Sequence, residues 1–160
     1  MSMIFEPTPG YVYVATLKGN TKIGYTFDPE HRAKLLRAKL EWTKKITPHR
    51  IAWHAEQIAL TRLVDHLIKG EEFDCGIKMA VDALEAAIPG AEALFELDKA
   101  RRACGHPAPL HRGSKDAQAA LSEAEEHADA ILGEDWHERY IGMIKHRSAK
   151  YRQAARKAAK

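Results

Sequence analysis

The chain has 160 residues, of which 45% are hydrophobic and 29% charged, with a formal net charge of +3 at pH 7. That length suits one domain, or one small domain with a helical extension, and the composition is ordinary for a soluble globular protein. The opening MSMIFEPTPG lacks a basic region followed by an apolar run, which argues against a secretory signal. No apolar stretch approaches the about 18 residues a membrane span needs.

Met1–Pro9 reads as a lead-in. Two runs of strand-forming residues follow, Tyr11–Leu17 and Thr21–Thr26, with Gly19-Asn20 between them as a hairpin turn. Pairing the runs about that turn puts Val12, Val14, Ile23 and Tyr25 on one face, the expected core side. Tyr11, Tyr13, Lys22, Gly24 and Thr26 fall on the other face, the wet side, which reads as polar, aromatic and basic, with Gly24 leaving room above the sheet. Asp28-Pro29 is an N-cap followed by a first-turn proline. The helix it opens is expected to run to about Lys44, with Ala33, Leu36 and Leu40 inward. Arg32 lies in its first turn, so a phenol, an ammonium and a guanidinium converge on one surface, for which phosphate is the natural guest. Arg32, Lys34, Arg37, Lys39, Lys44 and Lys45 outnumber Glu30 and Glu41 along this segment. Such a face is either solvated surface or, beside Tyr13, Lys22 and Arg32, a track for phosphates.

Thr47-Pro48 is a second cap-like pair, and a helix is expected from there to Ile68, closed by Gly70. Its apolar stripe, Ala52, Ala59, Leu60, Leu63, Val64 and Leu67, also contains Glu56. An inward carboxylate is costly unless it is ion-paired or binds a cation. Spacing puts His54 and His66 on other faces, as surface or partly buried histidines. Gly70–Asp74 reads as a short third strand or strand-like edge, with Glu71 and Asp74 as auxiliary carboxylates or a solvated turn. A third helix is expected over Ile77–Ile88, ended by Pro89-Gly90.

Beyond residue 89 the pattern is helical. Ala91–Ala103 carries Leu94, Phe95 and Leu97, and 105–113 reads as a loop. Cys104, His106 and His111 lack the fourth ligand of a zinc site. A helix from Ser114 to Leu132 is acidic, and a last one from about Glu134 holds Trp136, Tyr140, Met143, Ile144 and Tyr151 in one stripe. Its end is basic and includes Lys145 and Arg152. That basic end reads either as half of a helical hairpin neutralised by the acidic helix, or as an arm adding salt-sensitive DNA affinity. The stripe suits burial against other helices or a second copy of the chain, hence a homodimer through the helical half. Cys75 and Cys104 make no disulfide framework, which fits a reducing cytoplasm.

The run GYVYV…KIGYT…DPE.R resembles the core of the GIY-YIG nuclease superfamily, in particular its phage- and bacterial-type DNA-binding branch. Val12-Tyr13 matches the Ile-Tyr of the first motif, with Tyr11 at its Gly position. Lys22-Ile23-Gly24 matches the second motif with Lys in place of Tyr, and Arg32 and Glu56 fall at the family's helix Arg and helix Glu. Gly70–Asp74 is similar to its GEWF segment. The likeness covers about residues 8–88. It implies an α+β fold, a small antiparallel β-sheet packed by helices, over residues 1–89. An all-helical extension over 90–160 lies outside it.

The resemblance further implies a Mg²⁺- or Mn²⁺-dependent DNA endonuclease or nickase. Tyr13 would be the general base, Arg32 would sit on the phosphoryl oxygens and Glu56 would be the metal ligand, with Lys22 supporting Tyr13. Tyr11, Lys34, Arg37, Lys39, Lys145 and Arg152 would contact DNA, in the cytoplasm of a bacterial or phage-infected cell. The second motif lacks its Tyr, and the His after the Arg and the late Asn or Gln of many active relatives have no match. A DNA-binding module that grips without cutting is therefore the alternative. A structural protein dimerised through its helices is the third.

Overall fold

The computed structural model describes residues 7–104 and 115–140. Its architecture is α+β: a five-stranded sheet packed by helices, followed by a helical C-terminal part. The strands are β1 (Gly10–Leu17), β2 (Asn20–Thr26), β3 (Lys39–Ile46), β4 (Leu67–Lys69) and β5 (Glu72–Phe73), in spatial order β3-β1-β2-β5-β4 with every neighbour antiparallel. The helices are α1 (Pro29–Leu36), α2 (His49–Arg62), α3 (Ile77–Ala103) and α4 (Lys115–Leu132).

The β1–β2 hairpin forms with the expected faces, pairing Val12 with Tyr25, Val14 with Ile23 and Tyr13 with Gly24. Its turn is Lys18-Gly19, one residue earlier than expected. Both have positive φ, 50° and 83°, as a two-residue turn matched to strand twist requires, and Asn20 already belongs to β2.

Asp28 caps α1, its carboxylate accepting from the His31 backbone N–H, and Pro29 follows at the first position. The helix stops at Leu36 rather than near Lys44. Arg37 takes the left-handed conformation and closes the last turn. Lys39–Ile46 then returns as β3 beside β1, pairing Tyr13 with Thr43 and Tyr11 with Lys45. Lys34, Arg37 and Lys39 thus sit on a helix, a cap and a strand instead of one helical face, and all are exposed.

On the Val12/Val14/Ile23 side, α2 supplies Ala52, Ala55 and Ala59, small residues that let it lie close to the sheet, and α3 closes the core with Leu84, Leu94 and Leu97. α2 ends at Arg62, before a 3-10 turn over Val64–His66 and strand β4, so the segment expected to carry the helix to Ile68 is partly sheet. α3 is likewise longer than expected. It runs through Pro89 to Ala103 because the residues after the proline, Ala91, Ala93, Leu94 and Phe95, are buried. Proline's fixed φ is compatible with a helix, and the one hydrogen bond it forgoes is outweighed by that packing. At Gly90 an added Cβ would lie 2.4 Å from Leu132 of α4, so the absent side chain is what lets the two helices approach. Cys75 and Cys104 are both free thiols. Among the described residues, no helix is long and apolar enough to cross a membrane.

Candidate functional site

The second face of the hairpin is covered, not open. Tyr13 is 1% exposed and Lys22 7% exposed, against the expectation of a wet surface. Over β1 the cover is α1, whose Ala33 is buried and whose Arg32 donates a hydrogen bond to the Tyr13 phenol oxygen, while Lys22 on β2 is ion-paired with Glu71. Arg32 itself remains exposed, and Tyr11 is half-buried farther along the strand.

Gly24 decides where the Tyr13 phenol goes. A Cβ built at Gly24 would stand 2.4 Å from both Cζ and Oη of Tyr13, so the ring lies directly across the glycine. The ring starts on β1 and crosses β2, which carries its hydroxyl towards the side of the sheet away from β3. Among the described residues β5 pairs with β2 only at Thr21 and Lys22, and Glu71 caps that short pairing by accepting the Ile23 N–H at 3.1 Å. The rest of β2 presents an edge, and the phenol arrives at it.

The charges of two carboxylates are felt at the phenol. Glu71, in the β4–β5 turn, forms an ion pair with the Lys22 ammonium. Glu56 comes from α2 and is 5% exposed, as its place in the apolar stripe anticipates. The Gln57 amide donates to one Glu56 oxygen at 3.3 Å. Burial pushes the Tyr13 phenol above its ordinary pKa of 10.0. Arg32 opposes this, and the negative charges of Glu71 and Glu56 add to it. The net direction is upward, so the phenol holds its proton at neutral pH. Lys22 does not reverse this, because its charge is matched by Glu71.

Glu56 is felt from the other face as well. Tyr25, a core-side residue of β2, is raised by burial and then by Glu56, with Arg50 opposing. Its hydroxyl bonds His49 Nδ1 at 3.0 Å, at the start of α2. Both phenols carry a contribution from the one buried carboxylate of α2. The site therefore draws Tyr13 from β1, Gly24 from β2, Arg32 from α1, Glu56 from α2 and Glu71 from the turn before β5.

Among the described residues, no group of three or more His, Cys, Asp or Glu side chains is placed to share a metal ion. A zinc-type cage is thus not built here. Mg²⁺ asks for less, since it keeps much of its water and is commonly held by one or two carboxylates plus substrate phosphates. The single buried carboxylate of Glu56 fits that donor set, and so would a Mn²⁺ ion of the same preference.

His54 is not the surface or partly buried residue expected. It is 5% exposed, with Nε2 2.6 Å from Asp98 Oδ2, and Arg50 Nε reaches the same oxygen at 3.2 Å. This network ties α2 to α3. Sequence reasoning gives Glu71 only as one of two auxiliary turn acids and Tyr25 only as a core residue, and passes over His49 and Arg50. The one available signal for Glu71 is an acid directly after Gly70, in a chain whose paired strand carries an inward lysine. Asp74 bonds His66 at 3.0 Å and stays on the surface. Lys145, Arg152, His106 and His111 lie outside the described residues.

No protein-family description, curated protein or solved structure matches the chain.

Proposed function

We propose that this chain is a divalent-cation-dependent DNA endonuclease or nickase, acting at the edge of β2. The supporting observation is convergence. Tyr13 passes over Gly24 to meet Arg32, and the charges of Glu56 and Glu71 reach the same phenol. A phosphodiester at this edge is held by the exposed Arg32 guanidinium, which presents paired donors to phosphoryl oxygens. A divalent cation on Glu56 would neutralise that carboxylate and stabilise charge on a phosphoryl or leaving oxygen. Tyr13 handles the proton of the attacking water at Oη. Arg32 favours the phenolate that this requires, and the negative charge of Glu56 is among the forces resisting it. Lys45, which pairs with Tyr11 on that face, and Lys34 on α1 are exposed and supply sequence-independent affinity, whereas Lys39 pairs with Thr16 on the opposite face.

A second reading is favoured by a specific observation. Tyr13 is almost fully buried and protonated, and Lys22 is committed to Glu71. In that reading the chain binds DNA phosphates through Arg32 and does not cut.

A plasmid-nicking assay with Mg²⁺ or with a chelator, beside a salt-dependent DNA-binding titration, separates the two. The enzyme reading expects Mg²⁺-dependent nicking that falls by about 10²-fold or more in Tyr13→Phe, as loss of acid–base help does. It expects nicking to vanish in Glu56→Ala while DNA binding persists. Binding that persists with no nicking under any divalent ion selects the second reading, and absence of both overturns the two together.

A further inference from the structure

We infer that the cleft between the start of α1 and the sheet, beside the proposed cleavage site, is a receptor for one unpaired nucleobase of the bound strand, and that it prefers a base bearing an exocyclic amine over thymine. The inference rests on the DNA reading above and names what that site would recognise. The cleft has a volume of about 360 Å³ and is lined by Tyr11, Phe27 and Leu40, with Asp28 and Glu30 at its rim. Tyr11 lies on the same face of β1 as Tyr13, and Asp28 stands one turn before Arg32, whose backbone N–H it accepts at 3.0 Å, so the cleft adjoins the Arg32 end of the site although the Tyr13 hydroxyl is carried to the far edge of β2.

Phe27 is 55% exposed and is the single aromatic among the large exposed hydrophobic residues of the described chain. Its ring is braced from behind, 5.7 Å edge-on to Tyr25 and 5.1 Å from His49. A braced aromatic with a free side, opposite a second aromatic, is a stacking platform, and every base has a face to offer it.

The rim decides which part of a nucleotide enters. Asp28 and Glu30 are both exposed carboxylates, so a phosphate is repelled from the cleft and left to Arg32 and the lysines outside. A carboxylate only accepts hydrogen bonds. It suits the amino group of cytosine, adenine or guanine, and the carboxylate–cytosine amine pair is an established form of base readout. Unpaired thymine has only its N3–H to donate, flanked by two carbonyl oxygens that repel a carboxylate, and it carries no exocyclic amine. A paired base is shielded by its partner in the stack, so the guest is a base in single-stranded or locally opened DNA.

The test is fluorescence anisotropy of labelled oligo-dC and oligo-dT of equal length, with full-length protein, mildly alkaline buffer and a chelator to prevent cleavage. Oligo-dC should bind about tenfold tighter than oligo-dT, the discrimination expected of one good carboxylate–base pair. Phe27→Ala should weaken oligo-dC binding about tenfold through loss of stacking. Asp28→Asn combined with Glu30→Gln should erase the preference without weakening oligo-dT. The amide introduced by Asp28→Asn keeps an oxygen for the α1 cap that the Asp28 carboxylate supplies. Equal binding of both oligonucleotides by the native protein, or a preference that survives the rim substitutions, overturns the base receptor and leaves the DNA reading standing. Failure to bind either oligonucleotide overturns the base receptor, and the plasmid nicking and binding assays decide the DNA reading separately.

Discussion

Gly24→Ala is the most direct probe of the site, because one methyl group meets one ring. The new Cβ would stand 2.4 Å from Cζ and Oη and 2.5 Å from Cε1 of Tyr13. Carbon contacts settle at about 3.5–4.0 Å, so the ring must retreat by about 1 Å or more. Tyr13 is 1% exposed and held by Arg32 from α1, so no free volume awaits the displaced ring. Overpacking of this kind costs about 1–3 kcal/mol. For a chain of this size that is a fall in Tm of roughly 3–10 °C. The same retreat separates the phenol from Arg32, so any nicking should fall with the melting temperature. Gly76→Ser is the matched control. Nothing lies within 4 Å of a Cβ there, Gly76 is the N-cap of α3, and serine is a good cap. A double-mutant cycle isolates the contact. In a Tyr13→Val background the ring is gone, and Gly24→Ala should be nearly harmless, giving a coupling of about 1–3 kcal/mol. If the two substitutions add within about 0.5 kcal/mol, the phenol does not cross Gly24 and the site assembled on that crossing collapses.

Lys22→Met should destabilise the chain by about 1–3 kcal/mol in urea unfolding; this is less than the loss of a fully buried pair, because the Glu71 side chain keeps 24% of its exposure. Lys22→Met with Glu71→Gln should recover part of that loss, and no recovery would mean that the pair is not coupled. Burial pushes the His54 imidazole below its ordinary 6.5, and the bond to Asp98 offsets only part of this. Below about pH 6.5 the unfolded chain takes up a proton that the folded one resists, so this contribution is complete above that pH and declines as pH falls through the lowered folded value. The urea midpoint should therefore be lower at about pH 5.5 than at about pH 7.5, and His54→Gln should flatten the difference; a His54→Gln protein with the native slope would assign the effect to other groups. Lys18 holds φ 50° in the hairpin turn, where a side chain is strained. Lys18→Asn should raise stability by about 0.5–1 kcal/mol, since asparagine tolerates that conformation, and a loss would mean that the turn is not of this type.

The parts of the fold that are legible in the sequence are those where local chemistry and tertiary packing agree. Strict alternation in β1 and β2 leaves one workable pairing, and the Asp28-Pro29 signal places the start of α1. Glu56 stands out because an acid in an apolar stripe has few explanations. The misplaced elements share a cause, which is periodicity too short to distinguish the alternatives. Ala33, Leu36 and Leu40 satisfy helical spacing, yet Trp42 and Ile46 also fit one face of a strand, with Leu40 turned to the other by the register shift at Val14-Ala15, and the free edge of β1 selects the strand. Leu67–Lys69 continues a helical stripe, yet β5 offers it a partner. Pro89 signals a helix end only if the residues beyond it have nothing to pack on, whereas they have α2 and α4. The burial of Tyr13 and Lys22 is not legible because alternation tells which face a residue occupies and not what later lies over that face. α1 is short, but it folds back onto that same side.

The same cover bears on how the site would work. A phenol intended as a base is poorly placed if burial holds its proton, and the structure sets only Arg32 against burial and two acids. Of these opposing charges, Glu71 is already matched by Lys22, which leaves Glu56 as the one whose neutralisation would change the balance most. If Glu56 holds the proposed cation, proton affinity at Tyr13 and cation affinity at Glu56 are linked, and linkage is reciprocal. Glu56→Gln removes the charge without the volume. It should lower the pKa of Tyr13, and of Tyr25 on the opposite face, which also feels Glu56. The measurement is a spectrophotometric tyrosine titration of Glu56→Gln against the native protein, with Tyr13→Phe and Tyr25→Phe to assign the two phenols. A downward shift in both would locate the carboxylate between them. A shift in neither would mean that Glu56 faces elsewhere, and the proposed cation, phosphate and phenol could not then belong to one site.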